Sequence, residues 1–103
     1  MSGPRIAVIG ATGAVGRVLL RLLEERSFPA SAVRLCASRR SWGKKVRLNA
    51  QDLTVEEPTE RLLGEVDIVF IAAGSDRSLE LAPVAARQGA LVIDKSSAFR
   101  MDP

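Results

Sequence analysis

The segment Gly10-Ala11-Thr12-Gly13-Ala14-Val15-Gly16 places a glycine at every third position, between two runs of different periodicity. Before it, Arg5 to Ile9 (Arg-Ile-Ala-Val-Ile) is short, β-branched and ends at Gly10, which predicts a strand buried on both faces. After it, Val15, Val18, Leu19, Leu22 and Leu23 recur at helical spacing, with Arg17, Arg21, Glu24 and Glu25 largely off the apolar stripe. That helix should stop before Pro29, because a residue preceding proline disfavours the helical region. The junction has a mechanical reading: Gly10 permits a tight turn, Gly13 lets the backbone approach a ligand, and Gly16 lets the helix pack on the sheet. The free N–H groups and positive end of the helix then face a diphosphate. A glycine-rich turn without a ligand is the competing reading, and the strand and helix around it make that the minority one. No Gly-Lys-Ser/Thr is present there, so a P-loop is excluded.

Downstream, Ala32 to Ala37 reads as a second strand, followed by the polar loop Ser38 to Gly43. Lys45 to Leu48 and Leu53 to Glu56 alternate apolar and polar around Asn49-Ala50-Gln51-Asp52, which predicts a β-hairpin. A short helical turn is expected at Thr59 to Leu63 and a strong buried strand at Val66 to Ala73. Ser78 to Gln88 predicts a helix with Pro83 in its first turns and Gly89 as its stop, and Ala90 to Asp94 is a last sheet-type run. Strands alternating with helices argue for an α/β fold: a Rossmann-like parallel sheet with flanking helices, right-handed crossovers and a small hairpin insertion. Residues 1–103 are expected to form one NAD(P)-binding domain.

Composition narrows the chemistry. The chain has no His, no Tyr and one Cys, which excludes an internal disulfide, a zinc site of four Cys/His ligands and a Ser-His-Asp triad. No apolar run approaches the roughly 20 residues of a membrane span, and Met1 to Arg5 does not resemble a signal peptide, so a cytoplasmic protein without membrane partners is expected. Charge is unevenly placed: through Arg47 ten Lys/Arg face two Glu, a balance of +8, and from Leu48 five face ten carboxylates, a balance of −5. The excess gathers at Arg34, Arg39, Arg40, Lys44, Lys45 and Arg47. Taken alone such a cluster reads first as a solvated face. Nucleic-acid binding is not expected, since of the aromatics only Trp42 sits among the basic residues.

The end of the second strand selects a cofactor. NAD sites usually carry an Asp or Glu there for the ribose 2′-hydroxyl. Leu35-Cys36-Ala37-Ser38-Arg39-Arg40-Ser41 has no carboxylate, whereas its guanidinium groups and hydroxyls suit a 2′-phosphate, which favours NADP(H).

With these residues placed, the chain resembles the N-terminal nucleotide-binding part of the aspartate-semialdehyde dehydrogenase family. The resemblance covers nearly the whole chain and implies a sheet truncated before its last strand or strands. It rests on Gly10 to Gly16, Ala37-Ser38-x-Arg40-Ser41-x-Gly43-Lys44, Ala73-Gly74, Leu81-Ala82-Pro83 and Asp94-x-Ser96-Ser97-Ala98-Phe99-Arg100-Met101. The arginine loop and the last segment are the specific elements; many dehydrogenases and epimerases share the glycine motif. The resemblance implies NADPH-dependent reductive dephosphorylation of L-aspartyl 4-phosphate to L-aspartate 4-semialdehyde, in lysine, threonine and methionine biosynthesis, by a homo-oligomeric parent enzyme. It implies that Thr12, Gly13, Ala14 and Val15 contact the cofactor, that Arg40 and Ser41 hold the 2′-phosphate, that Ala73-Gly74 lie near the nicotinamide half, and that Arg100 takes the substrate phosphate.

The chain departs from the family at Lys95, where Asn is usual, and at Arg39 and Trp42, where the family loop varies; Trp42 either stacks on adenine or covers the hairpin. The family's cysteine nucleophile and histidine acid/base are expected beyond Pro103, so no catalytic residue is assigned here and the chain alone is expected to be inactive. Cys36, inside a strand, is expected to be buried and inert. An N-acetyl-γ-glutamyl-phosphate reductase fragment and a non-catalytic nucleotide-binding module are the alternatives, the first disfavoured because its glycine turn typically carries a Tyr.

Overall fold

The computed structural model describes residues 3–72 and 76–94, with the backbone alone over 76–79. In chain order the elements are β1 (Arg5–Ile9), α1 (Ala14–Glu25), β2 (Ala32–Cys36), a 3₁₀ turn (Arg39–Ser41), β3 (Lys45–Leu48), β4 (Gln51–Glu56), α2 (Glu60–Leu63), β5 (Ile68–Ile71), α3 (Asp76–Arg87) and β6 (Leu91–Asp94). They build one six-stranded sheet in the order β3-β4-β2-β1-β5-β6. All pairings are parallel except the β3–β4 hairpin at the edge. Counting only the parallel strands, the order is 3-2-1-4-5, the Rossmann arrangement, so the strand order reverses between β1 and β5.

Alternation along β1 explains why its sequence is apolar from Ile6 to Ile9. Ile6 and Val8 face one side with Leu19, Leu20 and Leu23 of α1, together with Leu35, Leu48, Val55 and Phe70. Ala7 and Ile9 face the other with Leu62 and Leu63 of α2, Leu81 and Ala85 of α3, and Val69 and Ile71. Side chains of successive strand residues point to opposite faces, so a strand covered by helices on both sides has no polar position to offer. Each fully covered Leu, Ile or Val contributes roughly 1.5–3 kcal/mol relative to exposure. Phe28, just past α1, closes the first layer edge-on against Phe70, with centroids 6.5 Å apart and an interplanar angle of 82°.

Most element ends fall within two residues of expectation, and the largest differences are in β5, α3 and the hairpin. Of the strand expected at Val66 to Ala73, the described residues pair over Ile68–Ile71, where the partner β1 ends at Ile9. Helix α3 begins at Asp76, two residues earlier than predicted, so Pro83 is its eighth residue rather than part of its first turns. The hairpin is tighter than predicted. Leu48 pairs Gln51, leaving only Asn49 and Ala50 in the turn, at φ 51° and 66°. Positive φ at both central residues is the requirement of a two-residue turn whose twist matches the strands it joins.

Asn tolerates that region and Ala does not. Relief of about 1–2 kcal/mol of steric cost at position 50 outweighs the roughly 0.4–1 kcal/mol of extra unfolded-chain entropy that glycine brings. Ala50→Gly is therefore expected to stabilise the fold by about 0.5–1 kcal/mol and to raise the thermal midpoint by roughly 3–6 °C, as read by circular dichroism. An unchanged or lower midpoint would count against the tight turn.

Candidate functional site

In an open α/β sheet, ligands sit beyond the carboxyl ends of the strands where the strand order reverses. A cleft of about 820 Å³ lies there, lined by the ends of β1 (Ile9, Gly10), β2 (Ala37, Ser38) and β5 (Ala72). The turn between β1 and α1 forms its floor, with Thr12, Gly13, Ala14 and Val15 on the lining. Of the residues expected to bind a cofactor, Gly10, Thr12, Gly13, Ala14, Val15 and Ser38 thus share one cavity.

The glycine turn is held by its own backbone and by β2. The Gly10 and Ala11 N–H groups both donate to the Cys36 carbonyl, at 2.7 and 3.0 Å, and Gly13 N–H donates to the Gly10 carbonyl at 3.1 Å. Gly10 has φ 88°, a conformation that side chains resist. Gly16 answers a different need: a Cβ there would stand 2.1 Å from the Gly10 carbonyl oxygen. At Gly13 a Cβ would meet that same oxygen at 3.5 Å, an ordinary contact, so the protein itself does not demand glycine at this position. Helix α1 starts at Gly13 without any side-chain cap, and its first turn carries no acidic residue. The N–H groups at its start are left for an anion, as the helix dipole favours.

The second wall is formed by Ala37, Ser38, Trp42 and Arg39, the last from the 3₁₀ turn Arg39–Ser41. Ser41 is the one buried polar residue among those described, 7% exposed. Its Oγ lies 3.1 Å from Thr12 Oγ1, a hydrogen bond that ties this wall to the glycine turn. Arg39 lines the cleft, whereas neither the exposed Arg40 nor the buried Ser41 of the same turn is among its lining residues. Trp42 follows, with its indole N–H donating to the Ala37 carbonyl at 2.9 Å. Beyond β4, Glu57 and Pro58 complete that end of the cleft. Neither residue belongs to a recognisable motif in the sequence. Their signal was available: in a parallel sheet, the residues just past each strand's carboxyl end face the ligand.

The basic cluster divides in space. Arg34 donates to both Glu56 carboxylate oxygens, from Nε at 2.9 Å and Nη2 at 2.7 Å, and to Glu65 at 2.8 Å. These hydrogen bonds, first that to Glu56, raise the Arg34 pKa further, and the guanidinium holds the Glu65 carboxyl below its ordinary value. Arg47 pairs with Asp52 at 3.1 Å. Arg39, Arg40 and Lys44 have no ion pair among the described residues, and Arg39 faces the cleft. The +8 balance of the first part thus reduces, at the site, to the cations of one short turn.

Cys36 is fully buried at the end of β2, on the face covered by α2 and α3. Burial, and secondarily the Glu56 charge, pushes its thiol up to about 12 from 9.0, so it carries no nucleophilic thiolate near neutrality. Ala73, Gly74, Lys95 and Arg100 lie outside the described residues. No helix among the described residues is long and apolar enough to cross a membrane.

A dinucleotide fits what is present: a glycine approach that the protein leaves open, an uncapped helix start, and cations in place of a carboxylate after β2. The chain matches the family model described as the semialdehyde dehydrogenase NAD-binding domain over residues 5–103. It is 47% identical over 100 residues to an aspartate-semialdehyde dehydrogenase of Bacillus subtilis, covering 97% of this chain and 29% of that protein. Among solved structures, aspartate semialdehyde dehydrogenase II of Vibrio cholerae, complexed with ASA, is similar with a TM-score of 0.86 and 42% identity over 98% of this chain and 33% of that one. The Candida albicans aspartate semialdehyde dehydrogenase with NADP is similar with a TM-score of 0.71 and 26% identity, over 98% of this chain and 32% of that one. The chain therefore spans about a third of the length of these relatives.

Proposed function

Given that the chain belongs to the semialdehyde dehydrogenase family through its NAD-binding domain, we propose that it is the NADP(H)-binding portion of an aspartate-semialdehyde dehydrogenase. The observation that carries this reading is the pairing of an uncapped α1 start with a carboxylate-free, arginine-bearing turn after β2. Gly10, Thr12, Gly13, Ala14 and Val15 hold the diphosphate. Ser38, Arg40 and Ser41 seat the 2′-phosphate, joined by Arg39, which lines the cleft. If Thr12 donates in its bond to Ser41, the Ser41 proton is left for a phosphate oxygen. Ala73 and Gly74 border the nicotinamide half and Arg100 takes the substrate phosphate.

The bound cofactor supplies a hydride. The complete enzyme converts L-aspartyl 4-phosphate to L-aspartate 4-semialdehyde and phosphate in the cytoplasm, as a homo-oligomer, on the route to lysine, threonine and methionine. Its nucleophile and acid/base groups belong to a catalytic and dimerisation domain outside residues 1–103, consistent with a chain that lacks histidine and buries its cysteine.

Calorimetric titration of the chain tests the cofactor reading. NADPH is expected to bind more tightly than NADH by roughly ten- to a hundred-fold, the worth of one or two charged hydrogen bonds to the 2′-phosphate. The double variant Arg39→Ala, Arg40→Ala should bring the two affinities together, and the single variants divide the effect. Equal affinities in the unaltered chain would overturn the assignment.

A further inference from the structure

We infer that Trp42 is the platform on which the adenine ring of the cofactor stacks, so that base recognition in this chain rests on one preset indole. The inference rests on the NADP(H) reading above. A dinucleotide whose diphosphate lies at the start of α1 extends both ways along the carboxyl edge of the sheet, toward β5 on one side and toward β2 and β4 on the other. The cations of the 3₁₀ turn stand on the β2 side, and the 2′-phosphate belongs to the adenosine ribose. The base on that side is therefore adenine.

What this end of the cleft offers a base is Trp42, with Ala37 and Pro58 as further apolar lining. The indole is 37% exposed, the largest open aromatic surface among the described residues. Its single polar atom is already used, since Nε1 donates to the Ala37 carbonyl. A stacking base therefore leaves no indole donor unsatisfied. The backbone on either side is fixed as well: Ser41 N–H donates to the Ser38 carbonyl at 2.8 Å, and Gly43 N–H to the Val55 carbonyl at 2.9 Å. A ring held in place before the ligand arrives gives up little rotamer freedom on binding. Every base has a π-face, so stacking supplies affinity while the neighbouring phosphate seat supplies identity.

Trp42 is the only tryptophan and the chain has no tyrosine, so its fluorescence reports this contact directly. The probe is adenosine 2′,5′-bisphosphate, which carries the base and the 2′-phosphate without the nicotinamide. Added to the chain, it is expected to quench Trp42 emission along the same saturation curve that calorimetry records. Trp42→Ala should weaken its binding by roughly 5- to 100-fold, the range that loss of one stacked base produces. Trp42→Phe, which keeps a ring, should stay within a few-fold. Nicotinamide mononucleotide should leave the emission unchanged.

Calorimetric binding without any change in emission would overturn the platform and leave the NADP(H) reading standing. So would a Trp42→Phe variant that folds by circular dichroism and binds as poorly as Trp42→Ala. If Trp42 only covers the hairpin, Trp42→Ala lowers the melting temperature with no loss of affinity, which also overturns it. No calorimetric binding at all would remove both readings.

Discussion

Gly16→Ala is expected to destabilise the chain by about 3 kcal/mol or more, a large share of the 5–15 kcal/mol that holds a typical domain together. The added methyl would sit 2.1 Å from the Gly10 carbonyl oxygen and 2.8 Å from the Ala11 Cα, both backbone atoms with no rotamer to give way. Helix α1 would have to lift by roughly 1 Å or more to restore van der Waals separation, uncovering Leu19, Leu20 and Leu23 on its buried face. Thermal melting should register a fall of roughly 12 °C or more. Gly13→Ala provides the contrast. Gly13 has φ −79° and ψ 175°, open to any residue, and its Cβ makes only an ordinary contact. That variant should melt within a few degrees of the parent and yet lose at least about tenfold in NADPH affinity, because the methyl occupies the path of the diphosphate. The two glycines thus separate scaffold from ligand. A Gly16→Ala variant as stable as the parent would mean that the helix does not approach the turn this closely.

Alkaline titration should expose the second large effect, at Cys36. Its thiol sits at about 12 in the folded chain against 9.0 for a free thiol, chiefly through burial. Deprotonation favours the unfolded state, so this contribution to stability is complete below pH 9 and is lost as pH rises from 9 toward 12. At about 1.36 kcal/mol per pH unit, the loss reaches about 4 kcal/mol over that window. At pH 8 the thiolate fraction of the folded chain is about a thousandfold below that of an exposed cysteine. Iodoacetamide labelling should accordingly be slow in native buffer and rapid in denaturant, with mass spectrometry counting the adduct. Cys36→Ala should flatten the loss of stability between pH 9 and 12. Rapid native labelling at pH 8 would contradict the burial of this side chain.

Much of this architecture was legible along the chain because it arises from local periodicity. The apolar run of β1, the stripe of α1 and the glycines between them specify a strand, a helix and a turn within 25 residues, and each has its counterpart in the structure. The absence of a carboxylate after β2 was equally readable, since it concerns residue types at one strand end. What stayed hidden depends on contacts between distant segments. Nothing in the Ser38 to Gly43 loop says that Arg39 rather than Arg40 lines the cleft, because a 3₁₀ turn and its orientation are set by the hairpin that follows. Nor does the loop reveal that Ser41 meets Thr12, 29 residues earlier. Arg34 looked like a member of the basic cluster until folding brought Glu56 and Glu65, from β4 and beyond α2, against it.

The bond between Thr12 and Ser41 carries a consequence for timing. The floor of the cleft and its side wall come from separate stretches of chain, and this contact, worth about 1 kcal/mol, biases them toward one relative placement before a ligand arrives. A ligand then meets two loops already near each other, so less of its binding free energy goes into bringing them together. Cutting the tether, by Ser41→Ala or Thr12→Val, would leave that ordering to the ligand, a share of about 1 kcal/mol.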